Sequence, residues 1–225
     1  MGYGGHFFDF DHTLFDSDAS ESLAFGHALR SSGIERTEEL FSTYTTINRS
    51  LWSDVEAGRY NPDQVRELRF VRLADEAALD VDPATLAGDF TIGMQEFGEL
   101  YPGAYEVVEA LRDRGPLALV TNAISIIQRR RIERTGLQAL FDVIVISSEV
   151  DVSKPSPAIF DSAFAQLEQL DRTRTLMIGD RLTSDMAGGV AAGIDTCWFN
   201  QHGRANTSSL SPTHEIESLE QLLDL

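Results

Sequence analysis

Five short apolar runs are spaced unevenly along this 225-residue chain, and their spacing limits the folds that the chain can adopt. They span residues 6–10, 117–120, 143–146, 176–178 and 196–199. Each run has the length of a buried strand, and helical segments, one of them starting at Ser156-Pro157, separate the later runs. Strands that alternate with helices predict an α/β fold with a Rossmann-like parallel sheet that is covered on both faces.

The long interval between the first two runs has a different pattern. It contains no β-branched runs, and its apolar residues recur at helical spacing. Helix starts are indicated at Thr37, Asn61 and Asp82. We therefore predict an all-helical cap domain of about four helices at residues 16–97, inserted into an α/β core made of residues 1–15 and 98–225.

The composition restricts the partners. The chain has 36 acidic and 18 basic residues, which gives a formal net charge of −18. Such a surface repels polynucleotides and anionic lipid, so we expect neither nucleic acid nor a membrane as a partner. The sequence contains no apolar run that could span a bilayer and no signal-peptide pattern, so we expect a cytoplasmic protein. A monomer and a homodimer are both compatible with the sequence.

Two carboxylates follow the first apolar run, in the order Asp9-Phe10-Asp11-His12-Thr13. On an extended chain, residues two positions apart point the same way, and such a pair is costly without a cation. The chemical interpretation is that Asp9 is a nucleophile and Asp11 a general acid and base beside a metal. The alternative is a turn with solvated carboxylates.

Two further elements could bind phosphate. Thr121 and Asn122 follow the second apolar run, where a hydroxyl and backbone N–H groups can hold phosphate oxygens. Lys154 is the only lysine among 18 basic residues. A compact point charge in a loop of the core would neutralise phosphate charge during transfer. Taken singly, these residues could also be an ordinary strand-to-helix link and a surface lysine.

A fourth element, Gly179-Asp180-Arg181-Leu182-Thr183-Ser184-Asp185, follows the fourth run. Mg²⁺ prefers oxygen ligands, often one or two carboxylates with phosphate and water. Asp180, Asp9 and the main-chain carbonyl of Asp11 would supply such ligands, and Asp185 can reach the same site. On its own, Asp185 would be a helix-start residue. All four elements together predict a magnesium-dependent phosphatase acting on a small phosphorylated metabolite.

These motifs resemble those of the haloacid dehalogenase superfamily. The resemblance covers the D-x-D-x-T opening, the Thr121 and Lys154 motifs, the G-D-x-x-x-x-D ending and a helical insertion typical of a type 1 cap. It implies that Asp9 attacks phosphorus and forms an aspartyl-phosphate. It further implies that Asp11 protonates the leaving group and then activates water, and that Mg²⁺ bridges Asp9, the phosphate and Asp180.

A narrower resemblance is to the house-cleaning pyrimidine 5′-nucleotidases. Four segments carry it, at residues 48–52, 131–137, 145–150 and 196–200. It implies a nucleoside 5′-monophosphate as substrate, with pyrimidine preferred over purine. In the cap, the Asn48 amide could read the edge of a base, and the Trp52 indole could stack on its face. Packing within the cap is the alternative for Trp52.

Other functions remain open from the residues alone. A phosphatase of another small metabolite, of the sugar phosphate or phosphoglycolate type, and a phosphomutase would share the core motifs. A metal-free 2-haloacid dehalogenase would need neither Asp11 nor the later acidic residues. A non-catalytic binding module should have lost at least one of Asp9, Asp11, Lys154 and Asp180, and all four are present.

Overall fold

The chain folds around one parallel β-sheet. The computed structural model describes residues 2–225. The strands are β1 (Gly5–Phe8), β2 (Leu117–Thr121), β3 (Val143–Ile146), β4 (Thr175–Gly179), β5 (Asp195–Phe199) and β6 (His214–Ile216). They lie in the order β3-β2-β1-β4-β5-β6, and every neighbouring pair is parallel. The predicted α/β fold is confirmed. Strand β6 was not predicted, because it has only three residues and lies at the edge of the sheet.

The central strands are buried along their whole length, as strands covered on both faces should be. Side chains alternate between the faces, so Phe7 and Met177 pack in one apolar cluster while Phe8 and Ile178 pack in another. The first strand ends at Phe8, two residues before the end of the first apolar run. The Phe10 carbonyl then accepts three backbone N–H groups in a tight turn.

Four long helices follow β1 along the chain, before α5 and β2. They are α1 (Ser17–Ser31), α2 (Glu38–Glu56), α3 (Pro62–Glu76) and α4 (Pro83–Glu96). The predicted helix starts are confirmed, since the side chains of Thr37, Asn61 and Asp82 each accept a backbone N–H of the following turn. All four helices fall within residues 16–97, where we propose the cap domain. None of the helices in residues 2–225 is long and apolar enough to cross a membrane.

Shorter helices surround the sheet. They are α5 (Ala104–Arg112), α6 (Ser125–Arg134), α7 (Ser147–Val150), α8 (Pro157–Phe164) and α9 (Ala187–Ala192), with short 3₁₀ helices at Leu137–Ala139, Arg172–Arg174 and Leu219–Asp224 and a π-helix at Leu182–Met186. Ser156 precedes α8 and Pro157 opens it, as predicted, although the Ser156 hydroxyl makes no capping hydrogen bond.

The four long helices enclose their own apolar core, which is rich in aromatic rings. The ring centroids of Phe25 and Tyr44 lie 4.6 Å apart, and those of Phe70 and Phe90 lie 5.2 Å apart. Ile127 of α6 belongs to the same cluster, so this core continues onto a helix that flanks the sheet. The contact holds the helical layer over the carboxyl ends of the strands.

Candidate active site

The predicted chemical residues meet at the carboxyl edge of the sheet. Asp9 directly follows β1, Thr121 is the last residue of β2, and Asp180 directly follows β4. Lys154 lies in the loop between α7 and α8, and Asp185 lies in the π-helix that follows β4. The ends of parallel strands converge at one edge, which is where ligands bind in open α/β sheets.

Lys154 is the only cation in contact with the nucleophile candidate in residues 2–225. Its side chain is 1% exposed, and Nζ lies 2.6 Å from Asp9 Oδ1 and 2.7 Å from Asp185 Oδ1. Burial alone would lower the pKa of Lys154, but the carboxylates of Asp185 and Asp9 raise it to about 12. The ammonium therefore stays charged at neutral pH.

Asn122 positions the loop that carries Lys154. The Asn122 amide nitrogen donates to the Lys154 carbonyl at 2.9 Å, and the Lys154 N–H donates to the Asn122 amide oxygen at 2.8 Å. These two hydrogen bonds occupy the Asn122 side chain. A phosphate contact from Asn122 stays a prediction and would come from its backbone N–H or from the second N–H of its amide.

Three carboxylates form a cluster beside Lys154. One oxygen from each of Asp9, Asp180 and Asp185 lies within 4.8 Å of the other two. Burial raises the pKa of Asp9, an effect that Lys154 opposes and Asp185 reinforces, and burial followed by Asp185 raises the pKa of Asp180. Lys154 and Arg204, whose Nη2 lies 3.5 Å from Asp180 Oδ2, together leave one of the three carboxylates unbalanced. The set of oxygen ligands and the surplus negative charge therefore fit a hard divalent cation such as Mg²⁺.

The loop after β4 holds the acidic cluster in place. Asp185 Oδ2 accepts the Arg181 N–H at 3.0 Å, and the Asp180 carbonyl accepts the Trp198 indole N–H at 2.9 Å. Gly179 is needed for this arrangement, because a Cβ there would collide with the Asp185 carboxylate. The π-helix begins directly after this loop, and such helices are frequent at functional sites.

The Asp11 carboxylate lies outside the cluster and has its own partners. Its Oδ1 accepts from Ser17 Oγ at 2.5 Å and from Arg131 Nη1 at 2.9 Å, and its Oδ2 accepts from Gln128 Nε2 at 2.9 Å. Burial alone would raise the pKa of Asp11, but the Arg131 guanidinium and these hydrogen bonds lower it below its usual value. Gln128 Nε2 also donates to Thr121 Oγ1 at 3.1 Å. The predicted metal contact through the Asp11 main-chain carbonyl stays a prediction.

Sequence reasoning gave Arg131 no role. Its side chain is 2% exposed, and it joins α6 to two of the long helices. Nε donates to the Met94 carbonyl on α4 at 2.7 Å, and Nη2 donates to Ser20 Oγ on α1 at 2.7 Å. The guanidinium also lies 4.7 Å from the centroid of the Phe15 ring. Arg131 is therefore a partner of Asp11 that also contacts the helical layer.

The sequence of α6 contains a pattern that could have identified Gln128 and Arg131 as buried polar residues. Gln128 and Arg131 lie on the buried stripe of this helix together with Ile127 and Ile132. Polar residues on an apolar stripe are exceptional, because long polar side chains are seldom buried without a partner. Two such residues on one stripe indicate a polar contact across the helix interface.

A cavity of about 590 Å³ lies between the strand ends and the long helices. This volume falls within the roughly 300–1,000 Å³ that is usual for small-molecule sites. We call Asp9, Asp11, Lys154, Asp180 and Asp185 the floor of the cavity. We call Glu21, Asn48, Trp52 and Arg69 its wall.

Three residues of the wall form a hydrogen-bonded chain. Glu21 Oε1 accepts from Tyr44 Oη at 2.8 Å and from the Asn48 amide, and Asn48 Oδ1 accepts from Arg69 Nη1 at 3.4 Å. Arg69 is 2% exposed, and its guanidinium lies 4.3 Å from the centroid of the Phe90 ring. Nε and Nη2 of Arg69 have no hydrogen-bond partner in residues 2–225. Sequence reasoning named Asn48 but missed its two charged neighbours.

Trp52 lies on the wall and is half-buried. Its indole packs against the apolar core of the long helices and also lines the cavity. Stacking on a substrate stays a prediction, and packing within the cap is a contact that Trp52 does make. Arg69 could have been noticed in the sequence, because it lies midway between Val65 and Leu73 on the buried stripe of α3.

Comparison with known proteins finds a matching family and relatives that are similar over nearly the whole chain. The haloacid dehalogenase-like hydrolase family matches residues 5–193. The chain is 38% identical over 219 residues to the pyrimidine 5′-nucleotidase YjjG of Escherichia coli (strain K12), covering 97% of this chain and 96% of that protein. It is 33% identical over 225 residues to the pyrimidine 5′-nucleotidase PynA of Streptococcus pneumoniae, covering 100% and 95%.

A solved structure of a bacterial relative is similar over the whole chain. The HAD-hydrolase YfnB of Bacillus subtilis, crystallised with bound magnesium, superposes with a TM-score of 0.91 at 34% sequence identity. The match covers 100% of this chain and 98% of that one. Both the helical layer and the sheet are therefore shared with a magnesium-bound relative.

Proposed function

Because the chain belongs to the haloacid dehalogenase-like hydrolases, as its motifs predict, we propose that it is a Mg²⁺-dependent phosphatase of nucleoside 5′-monophosphates that prefers pyrimidines. One observation carries the proposal. Asp9 is buried at the end of β1 beside Lys154 and two further carboxylates, on the floor of a cavity of small-molecule size. The names of two relatives that match nearly the whole chain support the substrate class.

The floor has a residue for each step of an ester hydrolysis. The Asp9 carboxylate attacks phosphorus, and the ester P–O bond breaks with its electron pair on the leaving oxygen, which takes a proton from Asp11. Asp11 then takes a proton from the water that attacks the aspartyl-phosphate, which releases phosphate and restores Asp9. Lys154 and the Thr121 hydroxyl bind phosphoryl oxygens. Asp9, Asp180 and Asp185 would hold Mg²⁺, which would supply positive charge to those oxygens when bound.

The present orientation of Asp11 bears on this scheme. Its carboxylate faces Arg131 and Ser17, which lower its pKa, so the role of general acid requires it to release these partners, take up a proton and turn toward the phosphate. A metal-free dehalogenase would have no use for a cluster of three carboxylates around one lysine. The net charge of −18 favours a small phosphate ester over a polynucleotide.

A phosphate-release assay tests the proposal. The panel contains UMP, dTMP, CMP, AMP, glucose 6-phosphate, phosphoglycolate and 4-nitrophenyl phosphate, each with Mg²⁺ and with excess EDTA. We expect hydrolysis only with Mg²⁺, restored when Mg²⁺ exceeds EDTA, and the highest kcat/KM with pyrimidine nucleotides. Full activity in EDTA would contradict the metal assignment. A higher kcat/KM for a sugar phosphate or phosphoglycolate than for every pyrimidine nucleotide would contradict the substrate class.

A further inference from the structure

The wall of the cavity carries the buried guanidinium of Arg69 next to apolar side chains. Arg69 lies against the ring of Phe90, and Met94 and Ile127 also line the cavity. A buried guanidinium is costly unless its N–H groups find acceptors. Within the described part of the chain, Arg69 has one long hydrogen bond, to Asn48, and two nitrogens without a partner. Both nitrogens are shielded in this structure, so a ligand in the cavity that supplies their acceptor requires the Arg69 guanidinium to turn toward it.

Glu21 is a hydrogen-bond acceptor, whereas Arg69 is a donor. Its Oε1 is occupied by Tyr44 and Asn48, while its Oε2 accepts no hydrogen bond from any residue in the range 2–225. Arginine can only donate, and a carboxylate with two donors on one oxygen offers an acceptor at the other. Asn48 links Glu21 to Arg69. The wall thus contains an acceptor at Glu21 and a donor at Arg69, which are joined through Asn48.

One kind of ring edge complements this arrangement. Uracil and thymine carry an imide, in which the N3–H donor is flanked by two carbonyl acceptors. We propose that Glu21 and Arg69, joined through Asn48, bind the imide edge of uracil or thymine, with Glu21 accepting the N3–H and Arg69 donating to a neighbouring carbonyl. This inference rests on the proposed nucleotidase function and deepens it. Cytosine presents an unprotonated N3, which would face Glu21 acceptor to acceptor and leave both groups unpaired.

A zwitterionic substrate is the strongest competitor. In O-phosphoserine, an ammonium could face Glu21 and a carboxylate could face Arg69. The half-buried Trp52 favours the flat ring, because its indole lines the cavity and offers an apolar face to a base. An amino acid with one methylene would leave that surface uncovered.

The first test uses the unmodified protein. N3-methyluridine 5′-monophosphate keeps the ring, sugar and phosphate of UMP but cannot donate from N3. We expect its kcat/KM to be about 10- to 100-fold below that of UMP, the range for losing a hydrogen bond to a charged group. Equal values for the two nucleotides would overturn the proposal, and so would a higher kcat/KM for O-phosphoserine than for UMP.

The second test reverses the chemistry of Glu21. In Glu21→Gln, the amide oxygen can still accept from Tyr44 and Asn48, while an NH₂ group replaces the free oxygen. This donor suits N3 of cytosine, so the ratio of kcat/KM for UMP to that for CMP should fall at least about tenfold. Because the readout is a ratio, a general loss of activity cancels. Glu76→Gln, at an exposed position at the end of α3, is the matched control and should keep the original ratio.

Failure of the inference and failure of the proposed function give different results. If the unmodified protein with Mg²⁺ hydrolyses neither 4-nitrophenyl phosphate nor any nucleotide, both proposals are overturned. If UMP is hydrolysed but Glu21→Gln keeps the original UMP-to-CMP ratio, only the role of Glu21 is overturned. If Glu21→Gln does not fold, the N3-methyluridine comparison on the unmodified protein decides.

Discussion

The floor and the wall of the cavity both contain buried charges, but the two regions satisfy them differently. On the floor, Lys154 contacts two carboxylates, and Asp11 accepts hydrogen bonds from three side chains. On the wall, Arg69 has two nitrogens without a partner in residues 2–225. Buried polar groups are normally paired. The floor therefore lacks a cation for its surplus negative charge, whereas the wall lacks hydrogen-bond acceptors for a guanidinium.

The two regions also differ in how they are built. Sheet hydrogen bonds fix the strand ends that Asp9 and Asp180 directly follow, and the other floor residues lie in the loops and the π-helix beside them. The wall comes from α1, α2 and α3, so its position depends on how the helices pack. Changes to the floor should reduce the rates on UMP and CMP by the same factor. Changes to hydrogen-bonding groups of the wall should alter the ratio between these substrates.

The largest effect should come from Asp9→Asn. The amide is nearly isosteric with the carboxylate but cannot form an acyl phosphate, so turnover on every ester should fall by at least about 10⁴-fold. Circular dichroism should show an intact fold, and calorimetry should show that UMP still binds. A residual rate as high as that of Asp11→Asn would mean that the two carboxylates have been assigned the wrong way round.

Asp11→Asn should have the next largest effect. Loss of a general acid and base should lower kcat by about 10²–10⁴-fold for UMP and CMP alike. The loss should be smaller with 4-nitrophenyl phosphate, because its leaving group needs little protonation. Steady-state rates on the three substrates measure this. A uniform loss on all three would argue against leaving-group protonation by Asp11.

Lys154→Ala should lower kcat/KM for all phosphate esters by about 10²–10³-fold, because the developing phosphoryl charge loses its buried cation. Lys154→Arg should restore only part of this, since a planar guanidinium does not replace a point charge. The exposed Arg30→Ala is the control for a simple loss of charge. Near-normal rates for Lys154→Ala would show that Lys154 has no role in catalysis.

Arg131→Met should have a smaller effect, lowering kcat about 10- to 100-fold, as is usual for a partner that orients a reacting group. The ratio of UMP to CMP should stay constant, because Arg131 contacts Asp11 and not the wall residues. Arg129→Met, on the exposed side of α6, is the matched control. A changed ratio would show that Arg131 affects the choice between UMP and CMP, as the wall residues are expected to do. It would then contradict the separation of roles between floor and wall.

Trp52→Ala should have the smallest effect. If the indole stacks on the base, KM for UMP and CMP should rise by about five- to tenfold, with little change for 4-nitrophenyl phosphate. Trp52→Phe should recover part of the loss, since stacking does not require the indole nitrogen. Unchanged KM values together with a lower melting temperature would assign Trp52 to packing alone.

Local signals in the sequence determined much of the fold. The helix starts at Thr37 and Asn61 could be predicted because each capping side chain accepts an N–H only three residues along the chain. Asp9, Thr121 and Asp180 could be placed together because each follows a buried apolar run, and the ends of parallel strands converge at one edge. Both kinds of inference need only short segments and one rule about sheets.

The tertiary structure decided which side chains meet. Arg131 and Asp11 form an ion pair across 120 positions, and Glu21 meets Asn48 across 27. Such contacts depend on the relative placement of whole helices, which sums many weak packing terms and leaves no short pattern in the sequence. Gln128, Arg131 and Arg69 do appear as polar residues on apolar stripes. The sequence therefore determined that these side chains are buried, and only the packing of the helices determined what each of them contacts.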